Sequence, residues 1–321
     1  MLKKRIIGII LIVIIGCSLI IFIPIQIISI HLSSYSTINE FYSFIYQPSS
    51  PFPIEKLYIN ADEGNIEIRY KDPPVDYYVL IEVNIELRGK NLEKKSCDDY
   101  LNILWYNASS PVNFILEIVS DDWFNPSLWL IKDVSIIVNL RKDIVFDLLT
   151  NLDEGDFEII VPYAVSIGNL LTNVSNGNIY YDFVCSSIQG NITGITNNGD
   201  LELKSHNVEY TQNSNWSLIS TGGYMNIEIY QYKEMGANIT GTAVITNGEL
   251  SLFYKDNTAN IGACFFFPFL PMGVILPQEG FNISFQGLKT WLISSDFPTI
   301  NNYNLSYYLL DSGFGLELHS D

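Results

Sequence analysis

The fold of this chain is decided by residues 155–203, which read GDFEIIVPYAVSIGNLLTNVSNGNIYYDFVCSSIQGNITGITNNGDLEL. One phrase recurs in it: a glycine, any residue, an apolar residue, any residue and a second apolar residue. The phrase occurs six times in the whole chain, beginning at Gly64, Gly155, Gly177, Gly199, Gly223 and Gly248. The last five copies follow one another at nearly constant intervals, in the low to middle twenties of residues. Glycine turns and alternating strands with such a period are typical of a β-solenoid. We therefore predict an all-β, β-solenoid (β-helix-like) ectodomain.

Asparagine residues mark the same period a second time. Four of them recur at nearly the same interval, and each precedes an apolar residue: Asn169 before Leu170, Asn191 before Ile192, Asn215 before Trp216 and Asn238 before Ile239. Equivalent residues of stacked coils lie one strand spacing apart, about 4.8 Å. We therefore expect these asparagines to form a column at a bend, where their side-chain amides bond to one another. Their apolar neighbours should stack in the core.

The N-terminal segment is the most apolar part of the chain. Residues 6–30 carry no charge and follow Lys3, Lys4 and Arg5. A helix of this length, rising about 1.5 Å per residue, crosses a hydrocarbon core of roughly 30 Å. We predict a retained, single-pass transmembrane signal anchor in the cell membrane, with the N-terminus in the cytoplasm and the bulk of the chain extracytoplasmic. The alternatives are a cleaved signal peptide and a lipoprotein signal with Cys17 as the lipidated residue.

Composition divides the chain into six segments. We assign a cytoplasmic end, the anchor, a stalk or linker, an antiparallel β section, the solenoid repeats and a C-terminal cap to residues 1–5, 6–30, 31–53, 54–152, 153–255 and 256–321. Strict alternation of apolar residues over 79–87 and 134–140 predicts half-buried strands in the antiparallel section. In the cap, the phenylalanine-rich run 261–277 contains three prolines, which disfavour a spanning helix. We expect it to cover the open end of the solenoid; contact with a membrane or a partner is the alternative.

The chain is strongly acidic, with 35 acidic and 17 basic residues and a net charge of −18. Nucleic acid is excluded as a partner, because phosphate backbones require a basic surface. Cys17 lies in the apolar N-terminal segment, and Cys97, Cys185 and Cys264 form an odd set in which at most one disulfide can exist. Because Cys185 and Cys264 lie in apolar, strand-like runs, we expect buried free thiols.

The glycine-led phrases, together with residues 134–150 that lead into them, resemble the DUF4097 family and related adhesin-like domains of prokaryotic envelope proteins. The resemblance covers roughly residues 55–255. It implies a β-helical domain that is often tethered to a membrane. It brings no catalytic residue to this chain.

The sequence assigns no catalytic, cofactor-binding or metal-binding residue. The histidines His31, His206 and His319 are scattered without a metal-ligand spacing, and we interpret His206 as a loop residue at a bend. Carboxylates come closest to a site, because glycosidases use two carboxyl groups roughly 5–9.5 Å apart. The repeats place acids directly after a glycine or two residues further on, at Asp156, Asp200, Glu249, Glu158 and Glu202. Acids at turns and solvent-facing positions typically serve solubility.

Seven Asn-x-Ser/Thr sequons occur in the chain. We expect glycans on adjacent members of the asparagine column to collide at a spacing of about 4.8 Å. The candidates for glycosylation are therefore Asn107, Asn282 and Asn304.

These observations favour a membrane-anchored, extracytoplasmic protein of adhesin-like or structural type, without catalytic activity. It would bind a surface glycan or protein through an extended β face. The first alternative is a polysaccharide-processing β-helix enzyme, and the second is a membrane-tethered sensor or regulatory protein. The sequence leaves the ligand and the oligomeric state open.

Overall fold

Strands make up most of the residues that the structure describes. The computed structural model describes residues 35–49, 52–90, 92, 95–124, 131–256, 261–268, 280–286, 289–298, 301–310 and 313–319. The first twelve strands are β1 (Tyr35–Tyr46), β2 (Glu55–Glu63), β3 (Asn65–Lys71), β4 (Val79–Lys90), β5 (Leu101–Tyr106), β6 (Val112–Ile118), β7 (Ile131–Arg141), β8 (Phe146–Glu154), β9 (Phe157–Val161), β10 (Ser166–Asn176), β11 (Ile179–Val184) and β12 (Ser187–Ile188). The other twelve are β13 (Ile192–Asn198), β14 (Leu201–His206), β15 (Glu209–Tyr210), β16 (Ser214–Ser220), β17 (Gly223–Gln231), β18 (Ile239–Thr246), β19 (Gly248–Asp256), β20 (Ile261–Phe267), β21 (Phe281–Gln286), β22 (Lys289–Ser294), β23 (Asn301–Leu310) and β24 (Gly313–His319). The prediction of an all-β fold is confirmed.

The strands form two sheets. Sheet A has ten strands, in the order β1-β4-β7-β3-β9-β11-β14-β17-β19-β24. Sheet B has fourteen, in the order β21-β22-β20-β23-β18-β16-β13-β10-β8-β2-β6-β5, with β12 and β15 beside this path. In the repeat region the chain alternates between the sheets, running from β8 to β9, from β10 to β11, from β13 to β14, from β16 to β17 and from β18 to β19. We call each such pair of strands, with the turn that joins it, a rung.

Successive rungs pair in parallel and in register. In sheet B, Leu170 of β10 lies beside Ile192 of β13, which lies beside Trp216 of β16. In sheet A, Ile179 of β11 lies beside Leu201 of β14. The interval between these partners along the chain equals the period of the sequence repeat. One sequence repeat therefore corresponds to one step along both sheets.

Alternation along each strand decides which side chains enter the core. In β11, Ile179, Tyr181 and Phe183 are buried, whereas the residues between them are half-buried on the opposite face. Parallel register stacks the buried positions into columns, of which two are Ile179-Leu201-Met225-Leu250 and Tyr181-Leu203-Ile227-Leu252. Burial of each large apolar side chain contributes about 1.5–3 kcal/mol, so the columns hold the rungs together.

The predicted antiparallel arrangement of residues 54–152 is wrong for β2 and β3. Strand β2 pairs in parallel with β6 and β8, and β3 pairs in parallel with β7 and β9. Strands β5 and β6 do form an antiparallel pair. The apolar alternation identified strands of this region correctly. It does not report their direction, because alternation records only which face of a strand is buried.

At both ends of the sheets the order of strands departs from the order of the chain. Strand β2 lies between β8 and β6, although β6 follows it in sequence, and β23 lies between β18 and β20. The phenylalanine-rich run contributes β20, which pairs in parallel with β23 and buries Phe265 and Phe267. Strands β21 and β22 add antiparallel pairs beyond β20. In its described part, segment 256–321 therefore continues both sheets, and residues 269–279 lie outside the described residues.

The segment expected to be a stalk, residues 31–53, contains β1 in its described part. Tyr46 is buried, and Phe44 contacts Trp105 and Phe114 with ring centroids 5.9 and 5.8 Å apart. Inward-facing aromatic side chains thus add this segment to sheet A. The predicted anchor, residues 6–30, lies outside the described residues, as does Cys17. Among the residues that are described, none forms a helix of the length and apolar character that a membrane span requires.

The chain divides into two compact units, of which the smaller comprises Met1–Glu40, Ile85–Tyr100 and Val119–Asp133. It contains two 3-10 helices, Cys97–Asp99 and Asp121–Phe124. The Cys97 amide donates a hydrogen bond to Glu40 Oε1 at 3.2 Å. Burial and the Glu40 carboxylate raise the pKa of the Cys97 thiol to about 12. The larger unit comprises Phe41–Asn84, Leu101–Ile118 and Val134–Asp321.

Turn glycines of neighbouring rungs lie directly against one another in the larger unit. A Cβ atom added to Gly177 would lie 1.9 Å from the Gly155 carbonyl oxygen, and one added to Gly199 would lie 2.0 Å from that of Gly177. The same close approach joins Gly155 to Gly64, and Gly248 to Gly223. The backbone at Gly177 has a φ of +143°, which L side chains rarely adopt. A side chain in this column would force two rungs apart.

Replacing Gly223 with alanine is expected to destabilise the protein by roughly 2–5 kcal/mol, because it combines backbone strain with overpacking. The added Cβ would lie 2.5 Å from the Gly199 carbonyl oxygen, at a φ of +119°. Gly222→Ala is the matched control in the same turn, since its Cβ would meet only Asn197 O, at 3.7 Å. Denaturant unfolding of both variants measures the difference. Equal midpoints would show that the glycine contact does not limit the spacing of the rungs.

Candidate functional site on the outer face of sheet A

Three of the four asparagines in the predicted column lie one above another. Asn169 Oδ1 accepts a hydrogen bond from the backbone N–H of Asn191 at 3.0 Å, and Asn191 Oδ1 accepts one from that of Asn215 at 2.9 Å. Asp147 begins this ladder, because its Oδ1 accepts from the Asn169 N–H at 2.6 Å. The expected bonds between side-chain amides are thus replaced by bonds from each side chain to the next backbone.

The fourth asparagine is out of step with the other three. Asn238 donates its backbone N–H to Asn213 Oδ1 at 3.0 Å, and not to Asn215. Its own Oδ1 accepts from the Asn302 N–H at 2.8 Å. The ladder therefore ends at Asn215, and a separate series of bonds, displaced by two residues, runs from Asn213 through Asn238 to Asn302.

A second ladder runs beside the glycine column. Side-chain oxygens of the residue after each glycine accept the backbone N–H of the next rung, over distances of 2.7–3.0 Å, in the series Asn65, Asp156, Asn178, Asp200 and Tyr224. Asp156 and Asp200 alternate with neutral Asn178, which keeps the two charges two strand spacings apart, about 9.6 Å. The structure thus gives these two predicted carboxylates a role in holding the turns.

The outer face of sheet A presents three rows of side chains across β9, β11, β14, β17 and β19. Neighbours within a row lie about 4.8 Å apart along the stack. The rows are Glu158-Tyr180-Glu202-Asn226-Ser251, Ile160-Asp182-Lys204-Glu228-Phe253 and Val184-His206-Tyr230-Lys255. We call these residues the outer face.

Charged and amide groups of the outer face bind one another. Lys204 Nζ lies 2.8 Å from Glu202 Oε1 and 5.2 Å from the centre of the Tyr180 ring. The hydrogen bond to Glu202 raises the pKa of Lys204. Asn226 Nδ2 donates to Glu202 Oε1 at 3.2 Å and to Glu228 Oε1 at 2.8 Å. Because both bonds share one nitrogen, the two carboxylate oxygens are no more than about 6 Å apart.

Aromatic rings stack beside this network. His206 meets Tyr230 edge to face with centroids 4.7 Å apart, and Tyr230 lies 4.7 Å from Phe253. All three side chains are half-buried, so part of each ring remains exposed to solvent. Contacts of this kind fix ring positions and contribute about 0.5–1.5 kcal/mol each beyond area burial. The result is a cluster of three rings from two neighbouring rows of the outer face.

Two polar atoms of the outer face are buried and do not form a hydrogen bond within the described part of the chain. Asp182 Oδ1 and His206 Nε2 find no hydrogen-bond partner among the described residues. Burial raises the pKa of the Asp182 carboxyl, and the nearby charges of His206 and Lys204 offset only part of that shift. Buried polar groups normally have partners, so both atoms leave part of their hydrogen-bonding capacity unused.

A cavity of about 470 Å³ lies at the turns that follow β9, β11, β14 and β17. Its polar lining includes Asn207, Glu209, Lys233 and Glu234, and Cys185 contributes a half-buried free thiol. The third row of the outer face ends immediately before these turns, since Asn207 follows His206 in the chain. The volume lies within the range of small-ligand pockets, about 300–1,000 Å³.

The remaining predicted residues are dispersed. Glu158 and Glu202 lie on the outer face, whereas Glu249 is exposed beside its turn glycine. His206 is the last residue of β14, so its assignment to a loop is wrong. The sequon asparagines Asn107, Asn282 and Asn304 are all exposed.

The structure also shows residues that the sequence analysis missed. Asp182, Glu228, Tyr230 and Phe253 occupy outward positions of strands in register. The sequence contained one signal for them: comparing the outward-facing positions of successive repeats would have placed these residues side by side.

Cysteines and metal ligands form no cluster in the part of the chain that the structure covers. Cys97 and Cys264 are buried free thiols, and Cys185 is free and half-buried. Within the same described ranges, no group of three or more histidine, cysteine, aspartate or glutamate side chains is arranged to hold a metal ion.

Comparison with known proteins adds no family assignment. No family model matches the chain, and no curated protein matches it. Two similar solved structures are a "putative cell adhesion protein" from Clostridium sporogenes and a "putative adhesin" from Bacteroides fragilis. Each is 12% identical with a TM-score of 0.31; they cover 87% and 88% of this chain and 99% and 97% of their own. A "putative adhesin" from Parabacteroides merdae is 8% identical, covers 88% of this chain and 97% of its own, and has a TM-score of 0.24. The description of the fold therefore rests on the strand pairing.

Asn178→Asp is expected to lower stability by about 1–2 kcal/mol at neutral pH and low salt, because it places a third carboxylate about 4.8 Å from both Asp156 and Asp200. Like charges raise a carboxyl pKa above its unfolded value, so the penalty holds above the folded pKa and disappears as the pH falls and the carboxyls protonate. Unfolding at pH 3 to 8 measures this. Asn178→Ala is the control, because it loses the acceptor at every pH. A pH-independent loss in the aspartate variant would contradict the charge argument.

Asp182→Asn is expected to stabilise the protein at neutral pH. The folded pKa of Asp182 is raised by burial, so its ionised form carries a penalty that is lost as the pH falls through the folded pKa. The advantage of the asparagine variant should therefore shrink in acid, as thermal melting across pH would show. Asp153→Asn removes the same charge from an exposed position on β8 and serves as the control. A variant that is less stable than the parent at pH 7 would refute the prediction.

Proposed function

We propose that this chain is a membrane-anchored, adhesin-like surface module that binds a glycan non-catalytically on the outer face. One observation carries the proposal: the half-buried rings of His206, Tyr230 and Phe253 stack beside the polar network that Asn226 forms with Glu202 and Glu228. Aromatic rings pack against the C–H faces of sugars, and carboxylates and imidazoles bond to their hydroxyl groups. A protein ligand of similar amphipathic character is the other occupant that such a surface accepts.

The scaffold of the proposed module is a β-solenoid. Parallel pairing, one repeat per step and a continuous glycine column support this interpretation. A solenoid suits a binding role because its rungs add a flat, extended surface that is rigid before the ligand arrives. Preorganisation of this kind lowers the entropy lost on binding.

The anchor in this proposal is residues 6–30, with the N-terminus in the cytoplasm. The apolar run without charge and the three preceding basic residues support it. The acidic remainder of the chain is consistent with a soluble ectodomain. A surface location would bring the outer face to ligands outside the cell.

The alternative function is a polysaccharide-processing enzyme, and the distance between the carboxylate oxygens of Glu202 and Glu228 favours it. Glu202 and Glu228 hold their oxygens within about 6 Å of each other, near the roughly 5–5.5 Å of retaining glycosidases. Those enzymes place their carboxyls on opposite sides of the scissile bond. Here both project from one flat sheet face and share the Asn226 amide, so binding is the better-supported function.

Binding is tested with the full chain in detergent micelles against a glycan array, followed by a panel of envelope proteins. Tyr230→Ala and Phe253→Ala should each weaken glycan binding about tenfold, equivalent to about 1.4 kcal/mol per ring. Phe285→Ala is the control, since this exposed ring lies on β21 of sheet B. Neither the parent protein nor the Glu202→Gln variant should cleave the bound glycan. Absence of ligands in both screens, or cleavage that Glu202→Gln abolishes, would overturn the proposal.

A further inference from the structure

An exposed apolar patch lies where β1, the segment before β2 and the turn after β5 meet. Phe41, Ile45, Phe52 and Tyr106 are 62%, 52%, 52% and 55% exposed. Phe41 and Ile45 share the outward side of β1, because Phe44 and Tyr46 point inward. Exposed apolar clusters of this kind mark interaction surfaces on soluble domains.

Two contacts bring these pieces of chain together. Asn107 Nδ2 donates to the Ile45 carbonyl oxygen at 2.9 Å, which holds the turn after Tyr106 against the end of β1. The Lys56 amide donates to Ser110 Oγ at 3.0 Å, which holds the start of β2 against the same turn. The patch is thus a built surface contributed by three segments of the larger unit.

Charge is absent from the sequence segments that form the patch. Neither residues 41–54 nor residues 101–116 contain an acidic or basic side chain, in a chain of which 16% is charged. Glu55 is fully buried, where it accepts a hydrogen bond from Tyr46 Oη at 3.1 Å. The next exposed charge after the patch is that of Lys56, a cation. No carboxylate of these segments would repel a phospholipid headgroup.

We propose that this patch docks on the lipid surface of the membrane that holds the anchor. The inference rests on the proposed anchor, which ends at residue 30, only four residues before β1 begins. Four extended residues reach at most about 14 Å, so the first residue of β1 is held close to the headgroups. From that point the outward side of the strand, with Phe41 and Ile45, would lie along the lipid surface. Tyrosine and phenylalanine side chains suit the interface between headgroups and acyl chains. Docking would set the ectodomain in one orientation above the bilayer.

The test uses the full chain reconstituted in phosphatidylcholine vesicles. A photoreactive benzophenone amino acid replaces Phe41 in one variant, Ile45 in a second and Tyr163 in a control. Tyr163 is also exposed but lies in the turn between β9 and β10. After alkaline carbonate washing and irradiation, mass spectrometry should detect lipid adducts at positions 41 and 45 and none at 163.

The outcomes separate the two proposals. Release of the chain by carbonate would overturn the anchor and the docking together. Retention of the chain without lipid adducts at positions 41 and 45, or with equal adducts at 163, would overturn the docking and leave the anchor standing. Crosslinks from 41 or 45 to a second copy of the chain would also overturn it, because they would assign the patch to self-association.

Discussion

The close approach of backbone to backbone at the turn glycines is the constraint on which the structure depends. From Gly155 onward, each glycine of the column lies against the carbonyl of the glycine one rung earlier, at a distance that leaves no room for a Cβ atom. That contact sets the spacing of the rungs at the turn to the spacing of strands in a sheet. If it were longer, the parallel hydrogen bonds on both sides of the turn would lengthen with it.

In-register stacking has an electrostatic consequence, because every position becomes a column of equivalent side chains. A column of identical carboxylates about 4.8 Å apart would repel itself. The ladder beside the glycines avoids this by alternating Asp156 and Asp200 with asparagines, which supply the same accepting oxygen without the charge. On the outer face Lys204 forms an ion pair with Glu202, and Asn226 donates hydrogen bonds to both Glu202 and Glu228, which offsets the repulsion between the two carboxylates. The rungs of an acidic chain can therefore stack without strong repulsion between neighbouring carboxylates.

Local pattern and long-range pairing explain what the sequence could and could not predict. Strand content and buried faces followed from alternation, because the side chain of every second residue points to the same side. The partner of Asn238 could not be predicted, since the register pairs Ser214 with Ile239 and so places Asn238 beside Asn213, whereas the sequence interval indicated Asn215. The places of β2 and β23 in the order of strands could not be predicted either. A strand inserted between two others shows the same alternation of apolar and polar residues as a strand added at the edge of the sheet. The rows of the outer face could not be predicted from the sequence, because they depend on which residues of neighbouring strands lie side by side.

The order of strands also separates the two proposed surfaces. Strand β14, at the centre of the outer face, lies six steps from β1 in sheet A, which corresponds to about 29 Å at 4.8 Å per step. Screening at physiological salt acts over about 8 Å, so the acidic network around Glu202 would not sense headgroups beneath β1. The uncharged patch can thus face lipid while the charged face remains in water. The insertion of β3 between β7 and β9 contributes one of these six steps.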